Sequence, residues 1–246
     1  MATKSILRRL MMAFFCAIFV TASPWAFAYQ SEQVTDGGTI TGVVKYAGAA
    51  LRPEPIAATK DIEVCGRKPQ FDQSLMVSAD GAIADAVVAI PDIEQGKAFP
   101  PARAYEFDQA GCEYTPHVLA LPVGAALDIV NSDGILHNVH TYPANNPQMN
   151  MAQPGFKKTI QVRIEHPDLI RVECDAHNWM RGWWYVAGNP YYAETGSDGR
   201  FTLSDVPPGI YTIQVWQEKL GKQDRKVTVK PGQTVTVDFT MGAQPN

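Results

Sequence analysis

Residues 174–180 read Cys-Asp-Ala-His-Asn-Trp-Met, and His137 stands 37 residues before Cys174 within Asn131-Ser-Asp-Gly-Ile-Leu-His137-Asn-Val. One thiolate, two imidazoles and one thioether make up the donor set of a copper electron-transfer site. Cys and Met are soft ligands, imidazole serves copper in both oxidation states, and a trigonal His₂Cys set with a weak axial Met is the arrangement used for moving single electrons. No other stretch of the chain offers so complete a set.

The segments around these residues read as strands joined by a short loop. In Leu169-Ile-Arg-Val-Glu-Cys174, residues Ile170, Val172 and Cys174 share one face of an alternating strand, which sends the thiol toward an apolar core. His177 and Met180 follow at once, so one short loop can fold three donors over one ion and leave the fourth to another strand. His137 and His140 lie three residues apart and face opposite sides of a regular strand; only one can enter a site, and alternation does not say which. His117 and His166 read as hydrogen-bonded or partly exposed side chains. The chain holds 5 His, too few for the repeated His-X-His pairs of a multicopper oxidase. His177 is expected on an exposed loop, as the exit for an electron, with Trp179 beside it as an apolar docking patch. Trp183 and Trp184 are adjacent, so at most one faces a core.

Three cysteines follow the leader: Cys65, Cys112 and Cys174. An odd number in an oxidising compartment suggests one bond and one thiol with other work. Cys65 in Val-Cys-Gly-Arg and Cys112 in Ala-Gly-Cys-Glu stand in turn-like contexts, so these two are paired and Cys174 is left for metal. Such a bond contributes about 4 kcal/mol by restricting the unfolded chain. The competing pairing, Cys174 with either of the others, would abolish the copper site.

Residues 1–28 read as a secretory signal: Lys4, Arg8 and Arg9, then an apolar run from Leu10, then Ala26-Phe27-Ala28 for cleavage before Tyr29. Without them, 18 Lys+Arg face 25 Asp+Glu, a net charge of −7. No basic run remains, so nucleic acid is not an expected partner, and no later apolar segment is long enough to span a bilayer. The expected location is the periplasm.

Strand signals dominate the rest, among them Gly38–Tyr46, Ala84–Ile90, Ala126–Asn131, Thr159–Ile164, Trp183–Ala187, Ile210–Trp216 and Thr234–Thr240. They are rich in Val, Ile, Thr and aromatics and bounded by Gly, Pro or Asp turns, which predicts an all-β, sandwich-forming chain. Ser197-Asp-Gly and Pro207-Pro-Gly supply tight turns. Residues 50–70 and 93–109 are Pro- and charge-rich with weak periodicity and read as long loops.

Leu121-Pro-Val-Gly-Ala-Ala-Leu-Asp-Ile-Val-Asn131 followed by Leu136-His-Asn-Val-His140 resembles the strand–turn–strand carrying the first histidine ligand of plastocyanin-like cupredoxins. Cys174-Asp-Ala-His177-Asn-Trp-Met180-Arg-Gly182 is similar to the ligand loop of amicyanin, which takes electrons from methylamine dehydrogenase and has the same short Cys-x-x-His-x-x-Met spacing. The resemblance implies one copper ion held by His137, Cys174, His177 and Met180 in a cupredoxin Greek-key β-sandwich. It also implies that Asn138 braces the two ligand segments. Asp198-Gly-Arg-Phe and Val206-Pro-Pro-Gly-Ile-Tyr resemble the carboxypeptidase regulatory-like, transthyretin-like β-sandwich, and Gly38-Thr-Ile-Thr-Gly-Val-Val looks like its opening strand. The implied organisation is an N-terminal β/loop region at 29–113, a cupredoxin-like domain at 114–187 and a regulatory-like region at 188–246. One arrangement has the cupredoxin inserted between two halves of a regulatory-like domain.

The leading expectation is a periplasmic type 1 copper protein exchanging single electrons with a redox partner, a cytochrome or a dehydrogenase. Copper delivery is the second reading, with Gln148-Met-Asn-Met151 as a Cu(I) contact, and a metal-free scaffold is the third. No nucleophile–base pair, hydrolase motif or phosphate loop stands in a convincing context, so an enzyme is not expected.

Overall fold

The computed structural model describes residues 29–49 and 51–242; the secretory leader read at residues 1–28 lies outside them. The described residues are nearly all β, with 21 strands and one short helix, Ile62–Cys65. This is the all-β class that the alternating patterns predict.

Two hydrophobic cores form. The first collects side chains such as Ile40, Val44, Val88, Phe201, Val215 and Phe239. They come from a sheet in which Gly38–Tyr46 lies between Arg200–Val206 and Thr234–Thr236, and from a second sheet ordered Tyr192–Glu194, Val87–Ala89, Gly209–Gln217, Gly221–Val229. Gly38–Tyr46 alternates strictly between buried and partly buried positions along most of its length, which is why its two-residue pattern was readable.

The second core holds the candidate metal ligands. One of its sheets is ordered Thr159–Arg163, Ala126–Asn131, Tyr105–Gln109, Tyr114–Thr115; the other is ordered Asn150–Gln153, His137–Tyr142, Asp168–Glu173, Arg181–Ala187, Val118–Pro122. Phe107, Leu127, Ile129, Val139, Val172 and Trp184 pack together between them.

Tyr105–Gln109 corrects the reading of residues 93–109 as loop. It pairs in parallel with Ala126–Asn131 and buries Tyr105, Phe107 and Gln109, while Glu106 and Asp108 point away. Only five residues long and charged on its outer face, it carries too short a pattern to stand out from the Pro-rich stretch before it.

The two cores meet at a smaller cluster of Val87, Val118 and Trp216, against which Trp183 packs with its ring 5.1 Å from that of Trp216. His117 Nε2 lies 2.7 Å from Glu218 at the same joint. Trp184 is buried in the second core while Trp183 serves the joint, the split that alternation requires.

Candidate metal centre

The strand Asp168–Glu173 delivers Cys174 to the second core, with Ile170, Val172 and Cys174 all buried on one face. The loop after it is closed by its own backbone: Met180 N–H donates to His177 O at 2.9 Å, and Cys174 N–H donates to Met180 O at 3.3 Å. Asn138, next to His137, accepts from Asp175 N–H at 2.6 Å and Ala176 N–H at 3.2 Å through Oδ1. It ties the Cys174 loop to the His137 strand, the brace that the family resemblance implied.

His137 is placed from the other side by the turn that precedes it. Asn131, fully buried, donates to Ile135 O at 2.8 Å and Gln153 O at 2.9 Å. Gly134 takes a left-handed φ of 74° in this turn. A Cβ on Gly155 would lie 1.9 Å from Gly134 O, so glycine at 155 lets the neighbouring loop press against the turn.

These elements bring His137, Cys174 and His177 together: one ligand atom from each lies within 4.8 Å of the others, and all three are buried. The two imidazoles face one another, Nδ1 to Nδ1, at 3.0 Å. Cys174 Sγ lies 3.7 Å from His177 Nδ1. Met180, on the same loop, is buried in the same core cluster as Cys174. His140 turns the other way, onto Asp175 at 3.0 Å, so the strand sends in only His137 of the pair.

The far edge of each ring meets a carboxylate. His137 Nε2 lies 2.8 Å from Asp133 Oδ2, and His177 Nε2 lies 2.9 Å from Asp61 Oδ2. A carboxylate only accepts, so each Nε2 carries the proton. With Nε2–H directed outward, both Nδ1 lone pairs of the neutral rings aim at the same small space. Two lone pairs 3.0 Å apart repel unless a positive charge lies between them, and a soft thiolate completes the wall. The residues therefore fit a copper ion, and in the metal-free chain a proton fills the same electrostatic need. Burial works against a charged His137, but hydrogen bonds to Asp133 and Cys174 outweigh it and push its pKa up to about 9. Burial holds His177 below its ordinary value, partly offset by Asp61. The neighbouring charge of His137 adds to the effect of burial on His177. Burial also tends to raise Cys174, but hydrogen bonds from His137 and nearby backbone amides leave the thiol below its usual range.

Cys65 and Cys112 form the expected disulfide, and Cys174 is free and buried. The bond sits against the site, with sulfur atoms of both cysteines within 4.8 Å of a His177 nitrogen. Cys112 N–H donates to Asp133 Oδ2 at 2.8 Å, and Trp179 Nε1–H donates to Cys112 O at 3.2 Å.

His177 departs from its reading as an exposed exit. Its side chain is 0% exposed, with the Asp61 carboxylate on its outer nitrogen and the sulfurs of Cys65 and Cys112 close by. Met149 and Met151, read as a loop contact for Cu(I), pack against the second core, and Met151 lies in the strand Asn150–Gln153 opposite Val139. Asp133 and Asp61 were not among the residues singled out. Asp133, four positions before His137 in an Asn-Ser-Asp-Gly turn, left a faint local signal; Asp61, 116 residues from His177, left none.

Residues 186–242 match the carboxypeptidase regulatory-like domain family. No curated protein matches the chain. Part of the structure is similar to solved cupredoxins, at low scores. A Cu-containing nitrite reductase from Thermus scotoductus SA-01 is 23% identical with a TM-score of 0.31, over 37% of this chain and 23% of that one. The M98A mutant of amicyanin in its Cu(I) form is 21% identical with a TM-score of 0.31, over 34% of this chain and 81% of that one. A purple cupredoxin from Nitrosopumilus maritimus is 21% identical with a TM-score of 0.29, over 34% of this chain and 99% of that one. The chain thus spans less than a quarter of the nitrite reductase.

Proposed function

We propose that the protein is a type 1 copper protein of the periplasm that passes single electrons between redox partners. The observation that carries this reading is the facing pair of Nδ1 atoms, His137 and His177, closed by the Cys174 sulfur in a buried pocket. Copper bound there supplies a one-electron couple. His137, Cys174 and His177 would hold the ion and Met180 would stand as a weak fourth donor, a set suited to both oxidation states.

The remaining residues orient these donors and keep water out. Asn138 fixes the separation of the two ligand segments, and Asp133 sets the tautomer of His137. Phe107, Val139 and Trp184 pack with Cys174 and Met180 in one hydrophobic core, so little of the surroundings has to rearrange when charge changes. Among the described residues no helix is long and apolar enough to cross a membrane.

The test is copper loading of purified protein followed by voltammetry. One copper per chain and a reversible one-electron wave, both lost in Cys174→Ser, support the proposal. Absence of stoichiometric copper in the unaltered protein would dismiss it and favour the scaffold reading.

A further inference from the structure

Asp61 lies far outside the two segments that supply the candidate ligands, and its conformation is unusual in two respects. It is the N-cap of the helix Ile62–Cys65, with φ 49° and ψ 43°. L residues rarely adopt that left-handed region, and Asp and Asn tolerate it best. An N-cap Asp ordinarily accepts from a backbone N–H in the first turn of its helix. Asp61 makes no such hydrogen bond. Its carboxylate points away from its own helix and accepts from His177 Nε2–H at 2.9 Å. The last residue of the helix, Cys65, is tied to Cys112, whose backbone N–H holds Asp133 on His137. The same disulfide-linked structure thus anchors a carboxylate on each imidazole.

We propose that Asp61 is a positioning residue of the metal centre: it fixes His177 as the Nε2–H tautomer, turns the Nδ1 lone pair toward Cys174, and brings a negative charge to the ligand's far side. The inference rests on the reading of His177 as a copper ligand. A carboxylate on the outer nitrogen strengthens the imidazole as a donor and favours the more highly charged ion, so Cu(II) gains more than Cu(I). It also makes the centre a product of two parts of the chain. The N-terminal segment closes over His177, and a redox partner meets the Asp61 helix before it meets the imidazole.

Two variants separate this role from simple support of the fold. Asp61→Asn keeps the volume and the tolerance of a left-handed backbone while removing the charge. Asp61→Gly relieves the backbone and removes the carboxylate altogether. The expected result in metal-free protein is that Asp61→Gly stays folded, relief of its left-handed backbone offsetting part of the lost hydrogen bond, while the ¹⁵N signal of His177 Nε2–H shifts and its proton exchanges faster with solvent. In loaded protein, Cu(II) affinity falls roughly 10–100-fold in Asp61→Gly, the loss typical of such supporting groups. Cu(I) affinity falls less, so the reduction potential rises, by about 59 mV for each tenfold of difference. Wild-type ¹⁵N patterns and an unchanged Cu(II)/Cu(I) affinity ratio in both variants would overturn the proposal. Failure of unaltered protein to bind copper would instead sink the functional reading, and the metal-free ¹⁵N measurement would still decide whether Asp61 sets the ring.

Discussion

His137 and His177 meet Nδ1 to Nδ1 at 3.0 Å, while their opposite nitrogens are both held by carboxylates. Two neutral rings so fixed present lone pairs to one another, and a positive charge between them relieves that repulsion. The consequences can be measured with and without metal.

The first concerns pH. In metal-free protein the pKa of His137 is raised from 6.5 to about 9, chiefly because hydrogen bonds to Asp133 and Cys174 overcome the cost of burial. A raised folded-state pKa stabilises the fold fully below about 6.5, and that contribution fades as pH rises through about 9. Copper must displace the same proton, so binding between these values releases protons and tightens with rising pH. Calorimetric titration in buffers of different ionisation heat measures the release; no proton release at pH 7.5 would contradict it.

The second concerns the brace. Asn138→Ala leaves the Asp175 and Ala176 N–H groups without their acceptor. A loss of about 1 kcal/mol in unfolding free energy is expected for each of these half-buried hydrogen bonds. Chemical denaturation of metal-free protein gives the value. The copper site of the variant should also bind more weakly, because the loop bearing Cys174 and His177 is no longer tied to the His137 strand.

A third prediction tests the turn before His137. In Gly155→Ala the added Cβ meets Gly134 O at 1.9 Å, a backbone atom that cannot swing aside as a side chain does. Destabilisation of about 1–3 kcal/mol is expected from such crowding. Because the shifted turn carries Asp133 and leads into His137, copper affinity should fall as well. Equal thermal stability of variant and wild type would show that the close approach has no such cost.

The disulfide supplies a fourth. Replacing Cys65 and Cys112 together by Ser removes a link across 47 residues and should cost about 4 kcal/mol, seen as a lower melting temperature. Unlike loss of a remote staple, it should also loosen Asp61 and Asp133, and so weaken copper binding.

Much of the centre was legible because its chemistry is local. Cys174, His177 and Met180 stand within seven residues, and the alternation Ile170, Val172, Cys174 already directs the thiol inward. The pairing of Cys65 with Cys112 was legible in their turn-like contexts, which left Cys174 for metal. What escaped depends on contacts between distant residues. His177 looks exposed when only its own loop is considered, and its cover comes from residue 61. Tyr105–Gln109 was lost among prolines because five residues carry little periodic signal and its partners lie 22 positions on. Long side-chain reaches such as Asp61 to His177 leave no trace in spacing or alternation.

The most direct measurement is the optical and paramagnetic-resonance spectrum of the Cu(II)-loaded protein beside that of Cys174→Ser. The account predicts an intense thiolate-to-copper absorption in the unaltered protein, one copper per chain, and complete loss of the band in the variant. An identical spectrum for both proteins, with no thiolate-to-copper band in either, would contradict it.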